Sequence, residues 1–233
     1  MALPKLASAK YELTIPSTGE KVEYRPFLVK EEKALLMAQT SGEQADILRA
    51  VKEVINACTF EKVDANNLPT FDLEYIFINL RAKSIGEEVN LIVTCPDDNE
   101  TKVSVKVNLM DVKCVNEVGH DTNIRLTDEI GIIMDYPKVD SVAHLNMDDE
   151  VDAMFGVIKS CIRQVYDSNN VYEKIDMAED DLNEFVESMT HDQFEKVQEF
   201  FNTMPKVKHS VKVTNPKTKV ESEVVLQGMQ DFF

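Results

Sequence analysis

The chain has 233 residues, 42 acidic against 25 basic side chains, a formal charge of −17 and 43% hydrophobic residues. A chain of this size buries roughly 70–75% of the surface its unfolded form exposes; with only 7 Gly and 8 Pro the composition excludes a disordered or fibrous protein. The acidic balance excludes a general nucleic-acid binder. No apolar run approaches the roughly 18 residues of a membrane span, and Met1–Lys10 has no charged-then-apolar leader, so the expected setting is a cytoplasm.

In chain order, Tyr11–Phe27 reads as a hairpin closed by Arg25-Pro26, and Leu28–Gln39 as a helix. Thr40-Ser41-Gly42 breaks that helix, and Ser41 with Gln44 is the expected capping box of the next one. Its stripe is Ile47, Leu48, Val51, Val54, Ile55 and Cys58, a 3.6-residue period. Thr70 is the expected cap of a third helix with Leu73, Ile76, Phe77 and Leu80 inward, stopping at Gly86. Glu88–Leu109 follows as the central hairpin, its turn holding Pro96, Asp97, Asp98 and Asn99; Val103, Val105, Val107 and Leu109 alternate with polar residues.

The pattern then predicts a strand over Val112–Val118, a short one over Ile124–Leu126, and one helical turn over Thr127–Tyr136. An amphipathic helix is expected over Met147–Tyr166, with Val151, Met154, Phe155, Ile158, Ile162 and Val165 on its apolar face and Asp167–Asn170 ending it. Helices Ala178–Met189 and His191–Asn202 come next, the second capped by Thr190 with Gln193. The last hairpin, His209–Leu226, repeats the central one: Val93-Thr94-Cys95-Pro96 matches Val213-Thr214-Asn215-Pro216, and the first hairpin is a looser third copy. The expected class is α+β, small antiparallel hairpins alternating with amphipathic helical blocks. Four segments are expected, 1–87, 88–137, 138–204 and 205–233, or one compact unit overall.

No motif assigns a catalytic residue, a cofactor or a metal. The Thr-Cys-Pro corner suggests a zinc ribbon, but such a site needs four ligands, and Asp98, Asn215 and Thr218 stand where the others would be. Cys58, Cys95, Cys114 and Cys161 form no pairing motif and are expected to be buried hydrophobes in a reducing compartment. His120-Asp121 and His191-Asp192 are adjacent pairs, whereas catalytic pairs meet through the fold. The clusters Asp148-Asp149-Glu150 and Glu179-Asp180-Asp181 suit helix N-termini. Asp167-Ser168-Asn169 starts like a calcium loop but has Tyr172 where the glycine belongs.

Charge is uneven. Asn146–Lys196 holds fourteen acids and four bases, while Pro205–Val220 holds five lysines and no acid. The segment 205–233 is therefore expected to be a contact module, with Lys206, Lys208, Lys212, Lys217, Lys219, Phe232 and Phe233 as partner-binding residues. The two phenylalanines either fold back onto the chain's own core, the commoner outcome, or insert into a partner.

The stretch Pro4–Ala38, PKLASAKYELTIPSTGEKVEYRPFLVKEEKALLMA, with Asn202–Pro205 and the closing Leu226–Phe233, resembles the baseplate hub subunit family of T4-like contractile-tailed bacteriophages. The resemblance implies a non-enzymatic structural or assembly role in the tail baseplate hub, through contacts with other hub and tail proteins. Neither nucleic acid nor membrane insertion is implied, and a homo-oligomer is left open. It implies the host cytoplasm during assembly and then the virion tail baseplate. The rival readings are a cell-envelope hydrolase, motivated by His120, His144 and His191, and a metal-binding adaptor.

Overall fold

The computed structural model describes residues 7–143 and 150–232. The fold is α+β, with seven α-helices and eleven strands in small antiparallel sheets among the described residues. The chain divides into two compact units. One is made by residues up to Val115 together with those from Lys206 onward, the other by Asn116–Pro205. Of the four sequence segments, the first and last thus share a unit, and the second is divided after its hairpin.

The first unit is built around helix α3, Thr70–Ser84. The preceding elements are the hairpin β1 (Tyr11–Thr14) and β2 (Lys21–Tyr24), then α1 (Val29–Ser41) and α2 (Gln44–Cys58). Leu73, Ile76, Phe77 and Leu80 of α3 are buried as the periodicity requires, and so are Phe71, Ile78 and Ala82 on its other sides. A helix apolar on all sides needs cover on all sides. Around it lie α2, β5 (Lys113–Val115), β10 (Lys206–Thr214) and the last turn, Met229–Phe232.

Its polar side chains tie down the neighbours. The buried Asp72 carboxylate accepts from the Ser17 N–H at 3.1 Å and from the Ser17 hydroxyl, anchoring the loop of the first hairpin. Asp72 lies in the first helical turn, where a carboxylate is favoured. Ser84 Oγ accepts from the Phe27 N–H at 2.9 Å, holding the chain that leaves the same hairpin.

Two helix starts differ from the sequence reading. Ser41 ends α1 instead of capping α2: its hydroxyl donates to the Ala38 carbonyl at 2.8 Å, Gly42 takes the left-handed conformation (φ 73°), and Glu43 is the N-cap. Thr70 is already helical, because Pro69 occupies the cap position with its φ set for the turn.

The central hairpin pairs β3 (Glu88–Thr94) with β4 (Lys102–Asn108), and β10 pairs with β11 (Glu221–Gln227). Leu91, Val93 and Val107 are buried, Val103 and Val105 are half-buried, and Leu109 is buried in the 3-10 turn after β4. The three hairpin loops share one geometry: Ile15-Pro16-Ser17-Thr18-Gly19, Cys95-Pro96-Asp97-Asp98-Asn99 and Asn215-Pro216-Lys217-Thr218-Lys219. In each, the fifth N–H donates to the first carbonyl, at 2.8, 2.9 and 2.9 Å. The fifth residue is left-handed in each, with φ 71°, 54° and 65°. The fourth side chain accepts from the N–H two residues on, at 3.2, 3.0 and 3.3 Å.

The second unit is a four-stranded meander, β6 (Asn123–Arg125), β7 (Gly131–Met134), β8 (Ile162–Tyr166) and β9 (Val171–Glu173), with α4 (Val139–Ala143), α5 (Glu150–Cys161), α6 (Glu179–Glu187) and α7 (His191–Thr203). Two expectations are corrected here. Thr127–Tyr136 holds strand β7, not a helical turn, and the helix expected to reach Tyr166 ends at Cys161. Ile158, Ile162 and Val165 fit helical spacing, but Ile162–Tyr166 is β-branched and aromatic and is taken as a central strand between β7 and β9. Asp167–Asn170 is accordingly a hairpin turn. At Gly131 a Cβ would lie 2.2 Å from the Tyr166 hydroxyl oxygen, so glycine lets that ring cross the strand.

The buried face of α5 is Ala153, Ile158 and Cys161, while Val151 and Met154 are exposed. Met147 and the Asp148-Asp149 pair lie outside the described residues. Ile124, Ile132, Met134, Ile162, Val197 and Phe200 join α5 in one core. Thr190 caps α7 as expected, with Gln193 returning the bond to the Thr190 N–H at 2.9 Å.

The hairpin register yields a direct test. Val107→Asp buries an unpaired charge at a position 1% exposed and is expected to leave no cooperatively folded protein. Lys106→Asp removes one exposed 2.7 Å pair with Glu88 and should cost less than about 1 kcal/mol in thermal unfolding. Equal losses for the two variants would place β4 one residue out of register.

Candidate functional site

The most concentrated polar cluster lies where the second and third hairpin loops meet. The Asn215 amide nitrogen donates to both Asp97 carboxylate oxygens at 3.0 Å and to Asp98 Oδ2 at 2.9 Å. The Thr218 hydroxyl donates to Asp97, and the Thr101 hydroxyl and N–H donate to Asp98. These donors, Thr218 first for Asp97 and Thr101 first for Asp98, hold both carboxyls below the usual carboxylate range. The cluster is a staple between two loops: its oxygens are occupied by donors from the chain itself. Asn215 is the counterpart of Cys95, both 1% exposed, and its amide nitrogen donates where a zinc knuckle would need a ligand. Among the described residues no three His, Cys, Asp or Glu side chains converge on a common metal position.

The lysines of the last hairpin are distributed along it. Lys206 and Lys208 are half-buried at the start of β10, Lys212 is exposed opposite Glu223, and Lys217 and Lys219 are exposed in the loop held to Asp97 and Asp98. At about 3.4 Å per residue, the eight steps of β10 from Lys206 to Thr214 span roughly 27 Å, so the five do not form one patch.

Beyond them Gly228 turns the chain with φ 73°, its N–H donating to the Val207 carbonyl at 3.0 Å. Glu74 of α3 accepts from the Met229 N–H, and Asp231 accepts from the Gln227 N–H at 2.8 Å. Phe232 thereby enters the unit's own core with 0% exposure. Of the two outcomes the sequence left open for that ring, the structure has the fold back onto the chain's own core; Phe233 lies outside the described residues.

The histidines have separate local roles. Thr203 Oγ1 donates to the Glu199 carbonyl at 2.7 Å, so it accepts the 3.0 Å bond from His120 Nδ1–H; the Tyr136 hydroxyl then donates to Nε2 at 3.1 Å. The imidazole also packs 5.2 Å from the Phe200 ring centroid. His191 is exposed on the first turn of α7, 3.3 Å from Glu195. Twelve residues of helix separate it from Thr203, about 18 Å at 1.5 Å per residue, so His120 and His191 serve no common site. His144 lies outside the described residues. Burial pushes the Cys58 and Cys161 thiols up to about 11 and Cys114 to about 12, which keeps them protonated and unreactive at neutral pH.

Residues 8–233 match the family described as T4 bacteriophage base plate protein. No curated protein and no solved structure matches the chain.

Two measurements probe these contacts. Phe232→Ala should lower the unfolding free energy of the first unit by about 3–5 kcal/mol in urea titration; an unchanged midpoint would show that the ring is not seated. Burial holds the His120 pKa below its ordinary value, against a smaller opposing pull from Asp121. The unfolded chain then binds the proton more tightly, so stability is lost as pH falls through the ordinary histidine range towards the folded value. The second unit's melting temperature should fall between pH 7.5 and 5.5, and His120→Gln should flatten that dependence.

Proposed function

The chain belongs to the T4 bacteriophage base plate protein family, and we propose that it is a non-enzymatic component or assembly factor of the baseplate hub, acting through contacts with other hub and tail proteins. The observation that carries this reading is the extent of the family match, which runs from residue 8 to residue 233 and takes in both units. The family places the chain in a structural role in the phage baseplate; the hub is the finer assignment.

The chemistry of the polar groups supports contact over catalysis. The Asp97–Asp98 cluster, Asp72, Glu74 and His120 are each occupied in holding one element to another. A hydrolase needs a nucleophile or metal beside a poised base; of the three histidines that prompted that alternative, His120 and His191 stand apart and His144 lies outside the described residues. A metal-binding adaptor would need ligands beyond Cys95, and Asn215 stands in the corresponding position of the last hairpin. Exposed Lys212, Lys217 and Lys219 suit the rim of an interface, where charge sets approach rate and salt sensitivity more than affinity. Residence is proposed in the host cytoplasm during assembly and in the tail baseplate afterwards.

Affinity-tagged chain, recovered from infected cells and identified with its companions by mass spectrometry, tests this reading. Recovery with hub and tail proteins is expected, and detection in purified virions separates a resident part from an assembly factor. Recovery with cell-wall fragments alone would overturn the proposal, and so would stoichiometric zinc in the purified protein.

A further inference from the structure

The second unit carries an apolar cavity of about 370 Å³ that the staples do not use. Its walls include Ile130 from the β6–β7 turn, Val165 from β8, Met177 from the loop before α6, and Leu182 and Phe185 from α6. Tyr172 of the edge strand β9 also lines it, and its sequence neighbours Val171, in the same strand, and Ile175, in the following turn, are exposed, Ile175 at 92%. An edge strand and turn this apolar mark a surface that is covered in use.

The charge at this surface selects what covers it. Asp167, Asp176 and Asp181 line the cavity. Asp167 is engaged in its turn, accepting from the Asn169 and Asn170 N–H groups at 2.7 and 2.8 Å, whereas Asp176 and Asp181 are exposed. From Asp167 to Glu187 the chain has eight acids and one base, Lys174. That lysine is aimed away from them: its ammonium donates to the Lys159 and Ser160 carbonyls. Lys196 is likewise turned to carbonyls, those of Arg125 and Leu126, at 3.0 and 3.2 Å. The cavity thus joins an apolar floor to a rim of net negative charge.

We propose that this cavity is a docking site for a segment of another baseplate protein that presents a bulky apolar side chain flanked by lysines or arginines. The apolar side chain fills the space over Leu182 and Phe185, and the flanking cations meet Asp176 and Asp181. A peptide with acidic flanks is repelled, and a basic peptide without an apolar anchor leaves the floor exposed to water. The inference rests on the contact-making role proposed above and adds the chemistry of one partner.

The test uses isotope-labelled full chain and three synthetic peptides: Lys-Lys-Leu-Phe-Lys-Lys, Glu-Glu-Leu-Phe-Glu-Glu and Lys-Lys-Gly-Ser-Lys-Lys, each with blocked ends. Only the first is expected to shift the NMR signals of Met177, Leu182 and Phe185. Asp176→Asn with Asp181→Asn should weaken it about two- to thirtyfold, the range of two exposed ion pairs. Raising the salt from about 0.05 to 0.3 M should weaken it as well. No shift at the cavity walls would overturn the proposal. Equal binding of the apolar-free peptide would also do so, by showing attraction to surface charge alone, as would binding of the acidic one. These outcomes leave the recovery of hub and tail proteins from infected cells untouched, so the cavity and the baseplate role fail separately.

Discussion

The first unit depends on α3 being covered on every side. Its apolar residues face all directions, so no single neighbouring layer can bury it, and the chain must return to it from both ends of the sequence. The N-terminal hairpin arrives through Ser17 on Asp72 and the C-terminal turn through the Met229 N–H on Glu74. Both carboxylates are pushed towards the neutral form by burial, and hydrogen bonds to them oppose that shift. The polar groups on this helix therefore choose which segments cover it, while the apolar ones supply the driving force.

The three hairpins show one loop put to three uses. Proline at the second position and a left-handed residue at the fifth fix the backbone, which leaves the third and fourth side chains free to differ. Ser17 takes a helix carboxylate as its partner. Asp97 and Asp98 take the Asn215 amide, which stands at the first position of the last loop. The second and third hairpins are thus joined at their tips by complementary groups, acceptors on one and donors on the other. A protein that works by presenting surfaces gains from such ties, because a preordered surface loses less entropy on binding.

The second unit divides its labour differently. Its core is apolar and shared by the meander and helices α5 to α7, while exposed acids collect on α6 and on the stretch from β9 that leads into it. The excess of acid in this stretch is visible from composition. That its two nearby lysines are turned towards backbone carbonyls rather than towards Asp176 and Asp181 is a matter of side-chain direction in three dimensions.

What the sequence by itself determined is everything with a local cause. The three hairpins follow from period-two alternation and from the Pro-x-x turns, α2 and α7 from 3.6-residue stripes, and the α7 cap from Thr190 and Gln193 three residues apart. The α+β class and the baseplate family were legible for the same reason, as patterns carried by contiguous residues. The tertiary structure decided what depends on distant partners. Ile162–Tyr166 satisfies helical and strand spacing alike, and only pairing with β7 and β9 makes it a strand. Gly131–Met134 is too short to declare itself until Tyr166 crosses its glycine. Ser41 and Thr70 are good cap residues by type, but the cap goes to whichever residue has the cap backbone, and Gly42 and Pro69 settle that. Phe232 could have served a core or a partner, because one apolar ring is chemically suited to both. Folding resolved it by placing α3 within reach, and the gain from burying the ring there outweighs leaving it in water.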